Sequence, residues 1–316
     1  MLAGPTIRSR RSSPSSIEAG LSVVELLTAL AVLGVMLSLL LPLIMSNRRV
    51  VQLDQTRTAV NQNLRSATDL IGADIRTAGE RLSQGSGPQL PALLIVSGAG
   101  GAPDELILRR NLSDIVLPVC DTLNGNQNNI PVVQPSGWQY IDNYPECLKL
   151  DTDGDGWSDN LQAWRDYANA VGGRVVGYIF NPVTGRGQFF EFEVRDNSRR
   201  MIHKVAPSAH WERYNLADRA RIYILEERRY RLADGALTLI INGDEANAAR
   251  IAADITDLQA RYVMADGSLQ DTLPAGSSWR DVRSLEITLT TRSTLQRETV
   301  ERTLTSRFFP RNVLSR

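Results

Sequence analysis

Gly20-Leu21-Ser22-Val23-Val24-Glu25 opens an apolar run that lasts to Met45. A helix needs ~20 consecutive apolar residues to cross the hydrocarbon of a bilayer, and this run supplies them. One carboxylate, Glu25, sits near its start, where a charge is costly in hydrocarbon and therefore points to a functional site. Arg8, Arg10 and Arg11 precede the run and favour a cytoplasmic N-terminus. A secretory signal would have a shorter apolar region followed by a small-residue cleavage site. Here the run ends Leu41-Pro42-Leu43-Ile44-Met45-Ser46-Asn47-Arg48-Arg49, with no such site. A plain single-pass anchor fits the hydrophobicity but leaves Glu25 unexplained.

Beyond Arg49 the helical pattern turns amphipathic. Leu53, Val60, Leu64, Ala67, Ile71, Ile75 and Ala78 recur every three or four residues and line one face. Asp54, Arg57, Arg65, Asp69 and Arg76 lie mainly elsewhere. Gly79 and Ser83-Gln84-Gly85-Ser86-Gly87-Pro88 end the pattern. A helix over 22–78 would be ~85 Å long, and Pro42, which lacks a backbone donor, should kink or locally melt it. Its first half is apolar all round; its second half needs one partner surface.

From Gln89 onward the signals are mostly strand: 92–97, 105–110, 175–180, 188–195, 221–232, 236–241, 255–264, 282–292 and 299–309. Asp234-Gly235 is a hairpin turn signal. Val282, Leu285, Ile287 and Leu289 suggest one buried face after a shift, and 251–258 reads as a short helix between strands. The segment from Cys120 to Ala170 is rich in Asn, Asp, Pro and Trp and reads as an insertion on an antiparallel sheet. The expected fold class is α+β.

Composition limits the partners. At 42% hydrophobic and 22% charged, 316 residues suit one anchor plus one or two globular units. The precursor has no net charge; without the three arginines and one glutamate of residues 1–20, 32 basic residues face 34 acidic ones, a balance of −2. That balance predicts no strong nonspecific attraction to nucleic acid.

The placement of Gly20, Leu21 and Glu25 before the apolar run resembles the type IV prepilin family. The resemblance implies cleavage after Gly20 by a prepilin peptidase, N-methylation of Leu21, and Glu25 as the fifth mature residue, where the family carries its glutamate. Gly34 and Pro42 fall where many pilins loosen the helix. Asp74-Ile75-Arg76-Thr77-Ala78-Gly79, Ile255–Tyr262, Trp279-Arg280-Asp281-Val282-Arg283 and Phe309-Pro310-Arg311-Asn312-Val313 resemble PilW-like minor pilins. J-type pseudopilins of type II secretion share the layout. The resemblance divides the chain into a leader (1–20), a transmembrane and filament-core helix (21–48), an amphipathic distal helix (49–80) and a periplasmic α+β head (81–316) with an insertion at about 120–170. It implies a subunit that helps initiate or cap pilus assembly, anchored in the bacterial inner membrane and then in the filament. Its partners would be other minor and major pilins, the peptidase and the inner-membrane assembly platform. Glu25 would be neutralised by the α-amine that cleavage creates on Leu21 of a neighbouring subunit, since a buried carboxylate needs a partner. In an exported domain Cys120 and Cys147 are expected to pair, adding ~3.5 kcal/mol in the chain-entropy model.

Asp151-Thr152-Asp153-Gly154-Asp155-Gly156-Trp157-Ser158-Asp159 alternates carboxylates with turn-forming glycines. Such a loop can wrap a hard cation with oxygen ligands. It resembles an EF-hand-like or thrombospondin type 3 calcium loop, with Asp151, Asp153, Asp155 and Asp159 giving side-chain oxygens and Trp157 its backbone carbonyl. Gln162 stands where an EF-hand has its bidentate glutamate. The alternative is a solvated Asp/Gly turn. Catalysis finds little support: His203 and His210 do not have the spacing of a helical zinc pair, and no nucleophile elbow or phosphate loop occurs. An enzyme is the least supported class. Arg199-Arg200 and Arg228-Arg229-Arg231 could contact DNA phosphates in a DNA-uptake or adhesive tip module, but Glu226 and Glu227 adjoin the second cluster.

Overall fold

The computed structural model describes residues 22–82, 90–205, 212–295 and 298–314. They fall into two compact units, the first ending at Gln55 and the second running Thr56–Arg316. The leader, Gly20, Leu21, the breaker stretch 83–88 and His210 lie outside the described residues.

Helix α1 spans Val23–Thr77. Its part before Arg48 is exposed on every side and is apolar and long enough to span a membrane, with a mean hydropathy of 2.5 over an 18-residue stretch. Glu25 is its one charged residue before Arg48. The helix continues through Gly34 and Pro42 rather than melting at the proline.

In the second unit α1 becomes one-sided. Val60, Leu64, Ala67, Ile71 and Ile75 are buried, as their spacing predicts. Each large aliphatic side chain removed from water contributes about 1.5–3 kcal/mol. The helix ends where Gly79 takes a φ of +81°; a Cβ there would stand 3.1 Å from the Trp279 ring. Asn312 Nδ2 donates to the Thr77 carbonyl at 3.2 Å and so satisfies one of the groups that a helix end leaves without a partner.

Among the described residues, three antiparallel sheets carry the rest. In chain order the strands are β1 (Leu93–Val96), β2 (Glu105–Asn111), β3 (Leu117–Pro118), β4 (Asn129–Pro131), β5 (Val175–Asn181), β6 (Arg186–Glu193), β7 (Met201–Lys204) and β8 (Arg221–Tyr223). They continue with β9 (Leu225–Ala233), β10 (Ala236–Ile241), β11 (Ala249–Ala253), β12 (Ile255–Met264), β13 (Leu269–Gln270), β14 (Val282–Leu295) and β15 (Glu298–Phe308). Helix α2 is Asp159–Ala170 and α3 is Arg311–Leu314. The sheets run β1-β2-β9-β10-β11, β13-β12-β14-β15 and β3-β8-β5-β6-β7-β4.

One core joins the buried face of α1 to the first two sheets and takes in Tyr178, Phe180 and Tyr223 from the third. A second lies between α2 and the third sheet, where Leu161, Trp164 and Ala168 meet Ile179, Phe190, Phe192 and Ile222. Trp164 stacks on Phe192 at 5.1 Å, and its indole N–H donates to the Ile115 carbonyl at 3.1 Å. This second core reaches well beyond 120–170, because β5, β6, β7 and β8 belong to it. The inserted unit begins after β2 and ends before β9. Asn111 pairs with Leu225, and Leu112 N–H donates to the Ile224 carbonyl at 2.8 Å, so its two ends are adjacent. The run expected as one strand over 221–232 changes sheets at Ile224, with β8 in the third sheet and β9 in the first. Within the insertion Cys120 and Cys147 form a disulfide, with Cα atoms 5.7 Å apart.

The helix expected over 251–258 is a correction: β11 and β12 occupy that stretch. Asp254 bends the chain at a φ of +60°, and the β12–β14 register slips between Ile255 and Asp257. That bulge turns both Ile255 and Leu258 inward, giving a helical spacing to a strand. A second slip, at Arg283, does the same for Val282 and Leu285, and is the shift that the alternation of β14 required.

Asp74 ties helix to sheet. It is 7% exposed, accepts from Arg228 Nη1 at 2.7 Å, and accepts the Tyr230 hydroxyl. Burial, and then the Asp74 carboxylate, push the Tyr230 phenol up, so it stays a donor. Asp74→Ala strands both donors and is expected to cost roughly 2–4 kcal/mol in denaturant unfolding. Asp69→Ala, on the exposed face of the same helix, should cost less than about 0.5 kcal/mol.

Candidate functional site

Ser22 and Glu25 form the start of α1. The Glu25 carboxylate accepts from the Ser22 backbone N–H at 3.0 Å, and the Ser22 hydroxyl accepts from Val24 N–H at 3.3 Å. Glu25 is thus the third residue of its helix and reaches back to the cap, as in a capping box. Its charge also faces the positive end of the helix dipole. The Ser-x-x-Glu pattern ahead of an apolar run carries this signal, and the reading above passed over it. Glu25 therefore has a local partner before any second subunit is considered.

The acidic loop lies between the disulfide and α2. Asp151, Asp153 and Asp159 bring one carboxylate oxygen each to within 4.8 Å of one another, so these three could hold a metal ion. Asp155 is not in the group; its Oδ1 accepts from Trp157 N–H at 2.7 Å. Asp159 is the first residue of α2 and accepts from Thr152 through both oxygens. The Trp157 side chain is buried in the second core with the Arg165 guanidinium 4.4 Å over its ring, which fixes the loop to the fold. Gly154 and Gly156 adopt φ values of +75° and +86°, where side chains are strained.

A cation already sits at the loop. Lys149 Nζ donates to Asp151 Oδ2 at 2.8 Å, and Asp151 also accepts from the N–H groups of Gly154 and Gly156. The lysine first, and then these amides, hold the Asp151 carboxyl below the usual carboxylate range, against the opposing effect of burial. A depressed carboxyl stabilises the fold above its unfolded pKa and loses that contribution as pH falls through its folded value.

The arginines of the 228–231 cluster are paired with carboxylates. Arg228 pairs with Asp74 and Glu226, Arg229 with Glu105 and Glu227, and Arg231 with Glu245. Arg199 donates to the Asp155 carbonyl. Beneath them Arg109 and Glu227 form a buried pair at 2.8 Å, with the Glu227 side chain 1% exposed. Periodicity alone could not have found that pair, because both residues alternate as if solvated. His203 is buried against Asn129, with its Nδ1 2.8 Å from the amide oxygen, and burial pushes its pKa down.

No family model, curated protein or solved structure matches the chain. The amides of Gly154 and Gly156 offer a direct reading of the loop. Their proton shifts should hold steady on acidification until the pH falls below the usual carboxylate range, and then move together as Asp151 protonates. In Lys149→Met the same titration should move to higher pH; an unchanged midpoint would show that the lysine does not govern it.

Proposed function

We propose that the chain is a minor subunit of a type IV pilus, of the PilW-like kind, which helps initiate or cap filament assembly. One observation carries the reading: a single helix is apolar and exposed from Val23 to Asn47 with Glu25 as its lone charge, and from Val60 to Ile75 it buries one face against antiparallel sheets. A subunit that must leave a membrane for a filament core needs the first property, and one that must carry a folded head needs the second. In this reading α1 holds the chain in the bacterial inner membrane with its head in the periplasm. Other minor and major pilins, the prepilin peptidase and the assembly platform are its partners.

Cleavage after Gly20 would place a new α-amine four residues ahead of Glu25. In a filament core the local N–H from Ser22 does not neutralise a carboxylate, whereas an amine from a neighbouring subunit does. Exchanging the one partner for the other would couple processing to incorporation, because a buried charge left unpaired costs about 3–5 kcal/mol.

The acidic loop is read as a calcium site. Asp151, Asp153 and Asp159 offer the hard oxygen ligands that calcium prefers, and the ion would cross-link the loop to the first turn of α2 while displacing Lys149 from Asp151.

Protein recovered from its own cells should begin at a methylated Leu21, as read by mass spectrometry of the N-terminal peptide. Recovery of uncut Met1 chains alone would sink the reading. Glu25→Ala should be cut normally yet be depleted from sheared filaments by about tenfold or more, the effect of losing at least about 1.4 kcal/mol. Calorimetric titration with calcium should show uptake that Asp153→Ala abolishes; no heat at millimolar calcium ends the metal assignment without touching the pilin one.

A further inference from the structure

Sheet edges are where a β fold meets other chains, because they leave backbone donors and acceptors unpaired. Among the described residues, five of the six outermost strands have two to five residues: β1, β11, β13, β3 and β4. The sixth is β15, with 11 residues, and among the described residues no strand pairs with its second side.

The side chains on this edge are self-complementary. Val300, Leu304 and Phe308 turn toward the core, while Thr299, Glu301, Thr303, Thr305 and Arg307 are exposed on the other face. An antiparallel copy centred on Leu304 sets Leu304 against Leu304, Val300 against Phe308, Thr303 against Thr305 and Glu301 against Arg307, each of the last three twice. Neighbouring registers that keep the faces matched lose this. Centring on Arg302 puts two arginines together, and centring on Thr303 sets Arg302 against Leu304 and Glu298 against Phe308.

The favoured register also extends rows that already exist within one chain. Arg292 bonds Glu301 at 2.6 Å, and Arg307 bonds Glu286 at 2.8 Å. Across the contact these become a row of alternating charge: Arg292, Glu301, then Arg307 and Glu286 of the second copy. Thr288–Thr305 at 2.9 Å and Thr290–Thr303 at 3.0 Å likewise continue into a four-hydroxyl row. Cross-strand pairs of these kinds contribute about 0.2–1 kcal/mol each.

We propose that β15 is a homotypic docking edge. It pairs antiparallel with β15 of a second copy, Leu304 opposite Leu304, and joins two four-stranded sheets into one of eight. The contact is isologous and closes on itself, unlike the head-to-tail contacts that build a filament. It stands independently of the pilus assignment.

The full-length chain in mild detergent tests this. Thr303→Cys and Thr305→Cys chains, oxidised as a mixture, should give a disulfide-linked heterodimer joined between positions 303 and 305. Neither variant alone should cross-link, since neither position faces itself. Glu301→Arg should weaken the dimer about tenfold by sedimentation, because two symmetric rungs turn from attraction to repulsion. A monomer at high micromolar concentration overturns the proposal. So does a dimer that Thr303→Cys cross-links alone, which reports another register, or one that no pair of these cysteines traps, which reports association through the apolar helix.

Discussion

The Asp74 carboxylate is the point on which the head turns. It projects from the last turns of α1 and takes hydrogen bonds from two residues of one central strand, Arg228 and Tyr230. Apolar burial along Leu64, Ala67, Ile71 and Ile75 is strong but non-directional, and tolerates sliding. A carboxylate shared by a guanidinium and a phenol does not. Around it the end of α1 is closed by Gly79 against Trp279 and by Asn312 on Thr77. Three short motifs that lie far apart in the chain therefore meet at one helix end. They hold the fold together, and their placement explains why those residue types occur where they do.

Legibility followed periodicity. The long helix, its change from all-round apolar to one-sided, and most strands could be read because each obeys a single period. The bulges at Thr256 and Arg283 defeated that reading locally. An extra residue in a strand turns a spacing of two into a spacing of three, which on paper is a helix. The inserted unit was underestimated for a different reason. Val175, Ile179, Phe190 and Phe192 look like any sheet core, and only contact with Trp164 assigns them to the second one. At the acidic loop the carboxylate pattern marked the site, but it could not show that Asp155 is spent on a backbone amide or that Lys149 reaches in from outside the motif.

In the proposed reading Glu25 serves two purposes without conflict. In the single chain it completes, together with the Ser22 hydroxyl, the start of the helix. That local bond keeps the first turn formed while the carboxylate stays available at the surface of the apolar segment. A side chain already held in one rotamer loses less conformational entropy when a stronger partner arrives.

The second core occupies the turn of a hairpin. Strands β2 and β9 are antiparallel neighbours whose facing ends, Asn111 and Leu225, would be joined by a short loop in a simpler protein. All of β3 to β8 and α2 leaves and returns through that one gap, and the disulfide lies wholly inside the excursion. Closing even a long loop costs little more than closing a short one when its ends are already side by side. The insertion is nevertheless keyed to its host, because Tyr178, Phe180 and Tyr223 pack into the first core. Evolution or an engineer could exchange the surface that this chain presents while leaving its helix and the Asp74 anchor in place, provided that those three ring contacts are kept.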